Sequence, residues 1–309
     1  MKSRIHNNYD GFPGLNEASL AKSKETMKRT WSEFREALAN GQFEYNDTKS
    51  ALTMTFLKQF NEWFQQLGVR EMSVSLAECF SGQFVGRGTI ISSDEPLDTP
   101  QYDRFMPKAE FIKEDNRFSP PGVEWLYLAI GSSEDIIREC AEKECRAKPS
   151  NRFGFCGFEL NSGYEHLKVV DLTIANEKSY DDINGILSLL KEKAYEDGLK
   201  YAKTHGLAAY QSSYDRTWWE PHLEKWLFFI YARMMSENIF VPIDTADKKL
   251  EYAPFQTLAM YFIENGYNGI VYASTVFPKG KNIVLFDKNY AAPYGKIFDY
   301  IMPFGSSSK

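Results

Sequence analysis

The stretch RFSPPGVEWLYLA, residues 117–129, sets an arginine ten residues before a tyrosine across a double-proline turn. Arg117 carries a fixed charge on a planar fork of donors and Tyr127 offers a flat phenol, so the pair suits an anionic, flat ligand. Glu139 follows within EDIIRECAEKE, whose pattern predicts a helix from about Ser132 to Arg146. Each residue also has an ordinary reading: a surface arginine, a core tyrosine, a solvated glutamate. Tyr127 lies in the run VEWLYLAI, where strand alternation turns Leu126 and Leu128 the other way. Its ring then faces either core or pocket.

Other chemistries find less support. Four histidines (His6, His166, His205, His222) show no HExxH or other paired spacing, so no histidine metal site is expected. There is no GxSxG elbow and no Walker A loop. GFCGFEL, 154–160, reads as a tightly packed strand rather than a phosphate loop. In RTWWEPH, Pro221 is placed at a helix start with Arg216 before it, which argues against an arginine–histidine pair on one face. Cys79, Cys140, Cys145 and Cys156 are too irregular for a disulfide framework or a zinc site and read as thiols in a reducing compartment.

The elements that must position these residues follow from periodicity. Helices are predicted from Ser19 to Asn40 and from Thr48 to Leu67, with aromatic stripes that read as packing surface. Strands are expected at 83–91, 123–130, 153–160 and 167–174, then mostly helix over 181–237. A helix with Pro254 near its start ends at Gly266, and NGIVYAS and NIVLF are read as the two closing strands. The order is α+β rather than a regular βαβ succession, with a helical annex at 1–75 and a main domain at 76–309.

The chain has 309 residues, 43 % hydrophobic and 15 % aromatic, enough for a large core. Its net charge of −6 and lack of a basic run disfavour nucleic acid as a partner. The opening MKSRIHNNYDGFPG has no apolar leader and no window reaches a membrane span, so a cytoplasmic protein without a membrane partner is expected.

Taken together, the string resembles the RES domain family. RFSPPGVEWLYLAIGSSEDIIRE is similar to its first block, an arginine before a Ser/Asn-Pro-x-Gly turn, Leu-Tyr-Leu-Ala, and a helix bearing a glutamate. LKVVDLT is similar to the second block. YAPFQTLAMYFIENGYNGIVYASTVFPKGKNIVLF is similar to the third, with Asn268 where Asp is commoner, Ser274 at the serine position, and Gly280 and Asn282 in the loop. The resemblance spans about 83–290, is interrupted by a helical insertion at about 176–250, and leaves out residues 1–75.

The resemblance implies an ADP-ribosyltransferase-like split β-sheet core with a cleft for NAD as substrate, and no prosthetic group or metal. It implies Arg117, Tyr127, Glu139 and Ser274 as catalytic residues and Arg87 and Asn282 as NAD-binding residues. The implied reaction is cleavage of the nicotinamide N-glycosidic bond by water or phosphate, in a growth-arresting toxin or defence effector. ADP-ribosyl transfer to a protein and a catalytically silent interaction module are the alternatives. The helices outside the resemblance leave open a homodimer contact, a gate over the cleft, or a dock for an Xre-type antitoxin or other regulatory protein.

Overall fold

The structure, a computed structural model, describes residues 17–92, 95, 101–176, 178–207, 216–240 and 248–302. The chain runs α1 (Glu17–Ala39), α2 (Thr48–Ala51), α3 (Thr55–Trp63), a π-helical turn (Phe64–Gly68), α4 (Val69–Glu71), β1 (Ser73–Ser75), α5 (Leu76–Phe80) and β2 (Phe84–Ile91). It continues with β3 (Leu126–Gly131), α6 (Glu134–Glu144), β4 (Arg152–Leu160), β5 (Lys168–Asp171), α7 (Tyr180–Thr204), α8 (Arg216–Asn238) and α9 (Lys248–Glu264). It closes with β6 (Gly269–Ala273), β7 (Lys281–Leu285) and β8 (Ala291–Ile301). The architecture is α+β, with an N-terminal helical annex and a helical insertion.

Among the described residues, eight strands form one sheet in the order β1-β5-β6-β7-β3-β2-β4-β8. Only β5 and β6 pair in parallel, and every other neighbouring pair is antiparallel. On β3, Leu126, Leu128 and Ile130 enter a core layer with Val271, Ile283 and Leu285, while Ala129 packs with Ile137 and Cys140 of α6 on the other face. Period-2 alternation thus places Tyr127, two residues from Ala129, on the α6 side. Gly86 of β2 makes this packing close, because a Cβ there would lie 2.3 Å from Phe155 Cζ.

The annex shares a core with α8 and α9. Phe34, Phe56, Phe60, Trp63 and Phe64 pack with Phe228, Phe255, Tyr261 and Phe262 in one cluster that reaches Val170, Ile270 and Val284 of the sheet. β1, at the end of the annex, hydrogen-bonds into the sheet beside β5.

Several predicted bounds move. α1 begins at Glu17, before Ser19. The single helix expected over 48–67 is instead two helices and a π turn, because Leu52 ends α2 and Met54 starts α3 in an extended conformation. Pro221 and Pro254 lie inside α8 and α9 rather than at their starts. Each loses one hydrogen bond to the preceding turn, which tertiary packing of these apolar helices offsets. NIVLF does not close the chain, since β8 follows it and pairs along the whole of β4. The first sixteen residues of the annex expected at 1–75 lie outside the described residues.

Candidate active site

A cleft of about 430 Å³ opens over β3, β7 and β6 between α6 and α9. Register builds its floor: Asn282 of β7 lies opposite both Ala129 of β3 and Tyr272 of β6, so the three side chains share a face. Arg117, Tyr127, Arg87 and Asn282 all border it, together with Glu144, Arg146, Tyr252, Tyr272 and Thr275.

Glu144, in place of the expected Glu139, is the carboxylate that α6 brings to the cleft, which Glu114 and Asp115 of the preceding loop also line. Both sit on α6, but five residues turn the helix by about 140°, so they point to different sides. Ala141, Glu144 and Cys145 form the i, i+3, i+4 face that lines the cleft; Glu139 lies outside the lining, and both glutamates are solvent-exposed. Glu144 sits in the last turn of the helix, where a carboxylate opposes the backbone dipole by about 0.3–1 kcal/mol. Two side chains from the opposite wall hold it there.

Ser274 Oγ donates to Glu144 Oε1 at 2.7 Å, and Asn282 Nδ2 donates to the same oxygen at 2.6 Å. The orientation of each donor is fixed in turn. Ser274 Oγ accepts from the backbone amides of Val276 (3.3 Å) and Phe277 (3.0 Å), so its one proton goes to Glu144. Asn282 Oδ1 accepts from Cys140 Sγ at 3.6 Å, which sets the amide with its nitrogen toward Glu144. The 274–280 loop reaches beneath α6 because residue 280 is glycine: a Cβ there would be 2.5 Å from Cys140 Sγ. Glu144 Oε2 has no hydrogen bond among the described residues.

Arg117 stands across from this carboxylate. Its guanidinium lies 5.0 Å from the Phe255 ring and 5.9 Å from that of Tyr252, and it donates to Thr275 Oγ1 at 3.2 Å. Gln256, buried on α9, donates to Asp115 Oδ1 at 2.9 Å and pins the loop that carries Arg117. Tyr252, Phe255 and Gln256 are i, i+3 and i+4 on one helix, so a single face of α9 positions the arginine. Burial pushes the Arg117 guanidinium below its ordinary pKa, an unfavourable desolvation that a bound anion would offset.

Tyr127 shares a 2.9 Å hydrogen bond with Ser119, and burial raises its phenol well above its usual range. Tyr272 is raised too, by burial first and then by the charge of Glu144. Both phenols are therefore neutral hydrogen-bonding walls. Arg87 spends one donor on the Phe105 carbonyl at 2.8 Å, and burial lowers its pKa to about 10. Burial pushes the Cys140 thiol up to about 12 and Cys145 to about 11, so neither is poised as a nucleophile. Among the described residues no group of three or more His, Cys, Asp or Glu is placed to hold a metal, and no helix is long and apolar enough to cross a membrane.

The family model for the RES domain matches residues 231–301. The C-terminal stretch of the chain is thus similar to a RES domain. The matched stretch supplies Tyr252 and Asn282 of the cleft lining and Gln256 and Ser274, which hold Asp115 and Glu144 of the lining, and Arg117, Tyr127 and Glu144 lie outside it. Among solved structures, a chain of the M. tuberculosis MbcT-MbcA toxin-antitoxin complex is 10 % identical, with 78 % of this chain and 93 % of that chain covered at a TM-score of 0.30. No curated protein matches the chain.

Proposed function

We propose that the cleft binds NAD and cleaves its nicotinamide N-glycosidic bond, with water or phosphate as acceptor. The observation that carries this is the Glu144 carboxylate, a residue of the cleft lining held through one oxygen by Ser274 and Asn282. Breaking the bond develops positive charge on the ribose, and a fixed carboxylate in a confined site stabilises an oxocarbenium-like state. The leaving nicotinamide departs neutral from a cationic ring, so it needs no proton. Arg117, desolvated and stacked on aromatic rings, suits a phosphate or ribose oxygen of the dinucleotide. Tyr127 bounds the nicotinamide ribose.

ADP-ribosyl transfer to a protein is disfavoured by Glu142. Glu142 and Glu144 make a Glu-x-Glu pair of the kind transferases use, yet Glu142 accepts a hydrogen bond from the Tyr300 hydroxyl of β8 and is outside the cleft lining. In the cell the reading makes the protein a growth-arresting toxin or defence effector that depletes NAD, restrained by an antitoxin or other regulator.

Nicotinamide release from NAD by the purified protein, with and without inorganic phosphate, tests the reading. Release is expected, and dependence on phosphate would identify phosphorolysis. Absence of release under both conditions would overturn it. Ser274→Ala removes one of the two donors to Glu144 and is expected to lower turnover by about 10–100-fold, since a carboxylate held by one donor is less well positioned. Unchanged turnover in that variant would show that Ser274 is not a positioning residue.

A further inference from the structure

Among the described residues, four helices end in the same way. In α1, α7 and α9 the residue two past the last helical turn is a glycine with positive φ: Gly41 at 68°, Gly206 at 64° and Gly266 at 81°. In each, paired backbone bonds close the end, as from Gln42 to Ala37 and Gly41 to Leu38, or from Tyr267 to Phe262 and Gly266 to Ile263. α6 closes with the same pair, Ala147 to Glu142 (3.0 Å) and Arg146 to Lys143 (3.0 Å). Its left-handed residue is Arg146, at φ 51°. A long side chain is disfavoured in that conformation, where glycine is not.

This end of α6 is the one that borders the cleft. Arg146 lines it, two residues beyond Glu144. The other two cleft arginines already have protein partners: Arg87 on the Phe105 carbonyl and Arg117 on Thr275 and the α9 aromatics. The Arg146 side chain has no hydrogen bond or ion pair among the described residues and is exposed. A residue that strains the backbone, whose side chain makes no hydrogen bond or ion pair among the described residues and which lines a cleft, is accounted for by what enters the cleft.

We infer that Arg146 is a ligand-binding residue, a guanidinium that grips the diphosphate of the dinucleotide while the nicotinamide ribose lies at Glu144. The inference rests on the proposed reading of the cleft. The left-handed backbone turns the chain out of the helix directly after Glu144, so carboxylate and cation reach the ligand from one helix end. The two charges then address different parts of one molecule, the ribose and the phosphates.

Arg146→Gly and Arg146→Lys test it. Arg146→Gly is expected to raise the KM for NAD at least tenfold with kcat within about twofold, and to leave release from nicotinamide riboside, which has no phosphate, unchanged. Its thermal midpoint is expected to rise by about 1–3 °C as the strain is relieved. Arg146→Lys, with the same strain and a point charge, is expected to fall between wild type and Arg146→Gly in KM. An unchanged KM for NAD in Arg146→Gly, or an equal loss on both substrates, would overturn the inference while the reading of the cleft stands. If the wild type releases no nicotinamide, ADP-ribose affinity by calorimetry separates the two. A tenfold loss in Arg146→Gly would uphold the arginine and sink the reaction, and no binding by wild type would overturn both.

Discussion

Glu144→Gln is expected to lower nicotinamide release from NAD by about 10³-fold, while Glu139→Gln leaves it within about twofold of wild type. The two glutamates share a helix, but only Glu144 lies on the face that Ala141 and Cys145 present to the cleft. Glutamine keeps the shape of the side chain, and its amide oxygen can still accept from Ser274 and Asn282. The substitution therefore leaves the cleft folded and removes the charge. A preorganised group aimed at developing charge is worth about 10²–10³ in rate, and a full carboxylate facing an oxocarbenium belongs at the upper end. A thousandfold loss corresponds to about 4 kcal/mol of transition-state stabilisation. Steady-state turnover beside thermal midpoints for both variants checks it. Inactivity of Glu139→Gln with an active Glu144→Gln would return the role to Glu139 and leave the cleft geometry without a chemical purpose.

That pair of glutamates also marks what could be read from the chain. The cleft's composition was largely legible: Arg117, Tyr127 and Asn282 border it, and Ser274 touches its carboxylate. Glu139 was chosen from a spacing resemblance, and linear spacing says nothing about which side of a helix faces the sheet. One signal was available in the helix itself. Ala141, Glu144 and Cys145 combine a small residue, a carboxylate and a thiol at i, i+3 and i+4, opposite an exposed face of Asp135, Glu139 and Lys143. The bounds of α8 and α9 were misjudged because prolines at 221 and 254 stop an isolated helix, whereas here both helices are buried among aromatics and tolerate the missing bond. β8 was missed because Pro293 and Gly295 interrupt its pattern. An edge strand accommodates both, and the register shift at Cys156/Gly157 absorbs the irregularity. Arg146 was invisible for a different reason: only backbone geometry shows that an ordinary arginine stands where α1, α7 and α9 use glycine.

Phe60→Ala is expected to destabilise the protein by about 3–5 kcal/mol, the usual cost of emptying a fully packed phenylalanine site. Phe60 is 0 % exposed, and its ring sits 5.7 Å from Trp63, 5.7 Å from Phe64, 5.7 Å from Tyr261 and 5.9 Å from Phe262. Those partners belong to α3, the π turn and α9, so the cavity would open where the annex meets the helix that positions Arg117. Such a loss is a large share of the roughly 5–15 kcal/mol that separates folded from unfolded domains. Urea denaturation should show a lower midpoint with an unchanged slope, because the same surface is exposed on unfolding. Phe111→Ala is the control: its ring is 70 % exposed, and a change within about 0.5 kcal/mol is expected. Because α9 holds Arg117 through Tyr252, Phe255 and Gln256, a loosened α9 should also weaken the grip on substrate before the chain unfolds. Phe60→Ala should then show a raised KM at temperatures where it is still folded, and Phe111→Ala should not. A destabilised Phe60→Ala with wild-type KM would mean that the annex supports the fold alone and that the cleft is insulated from it.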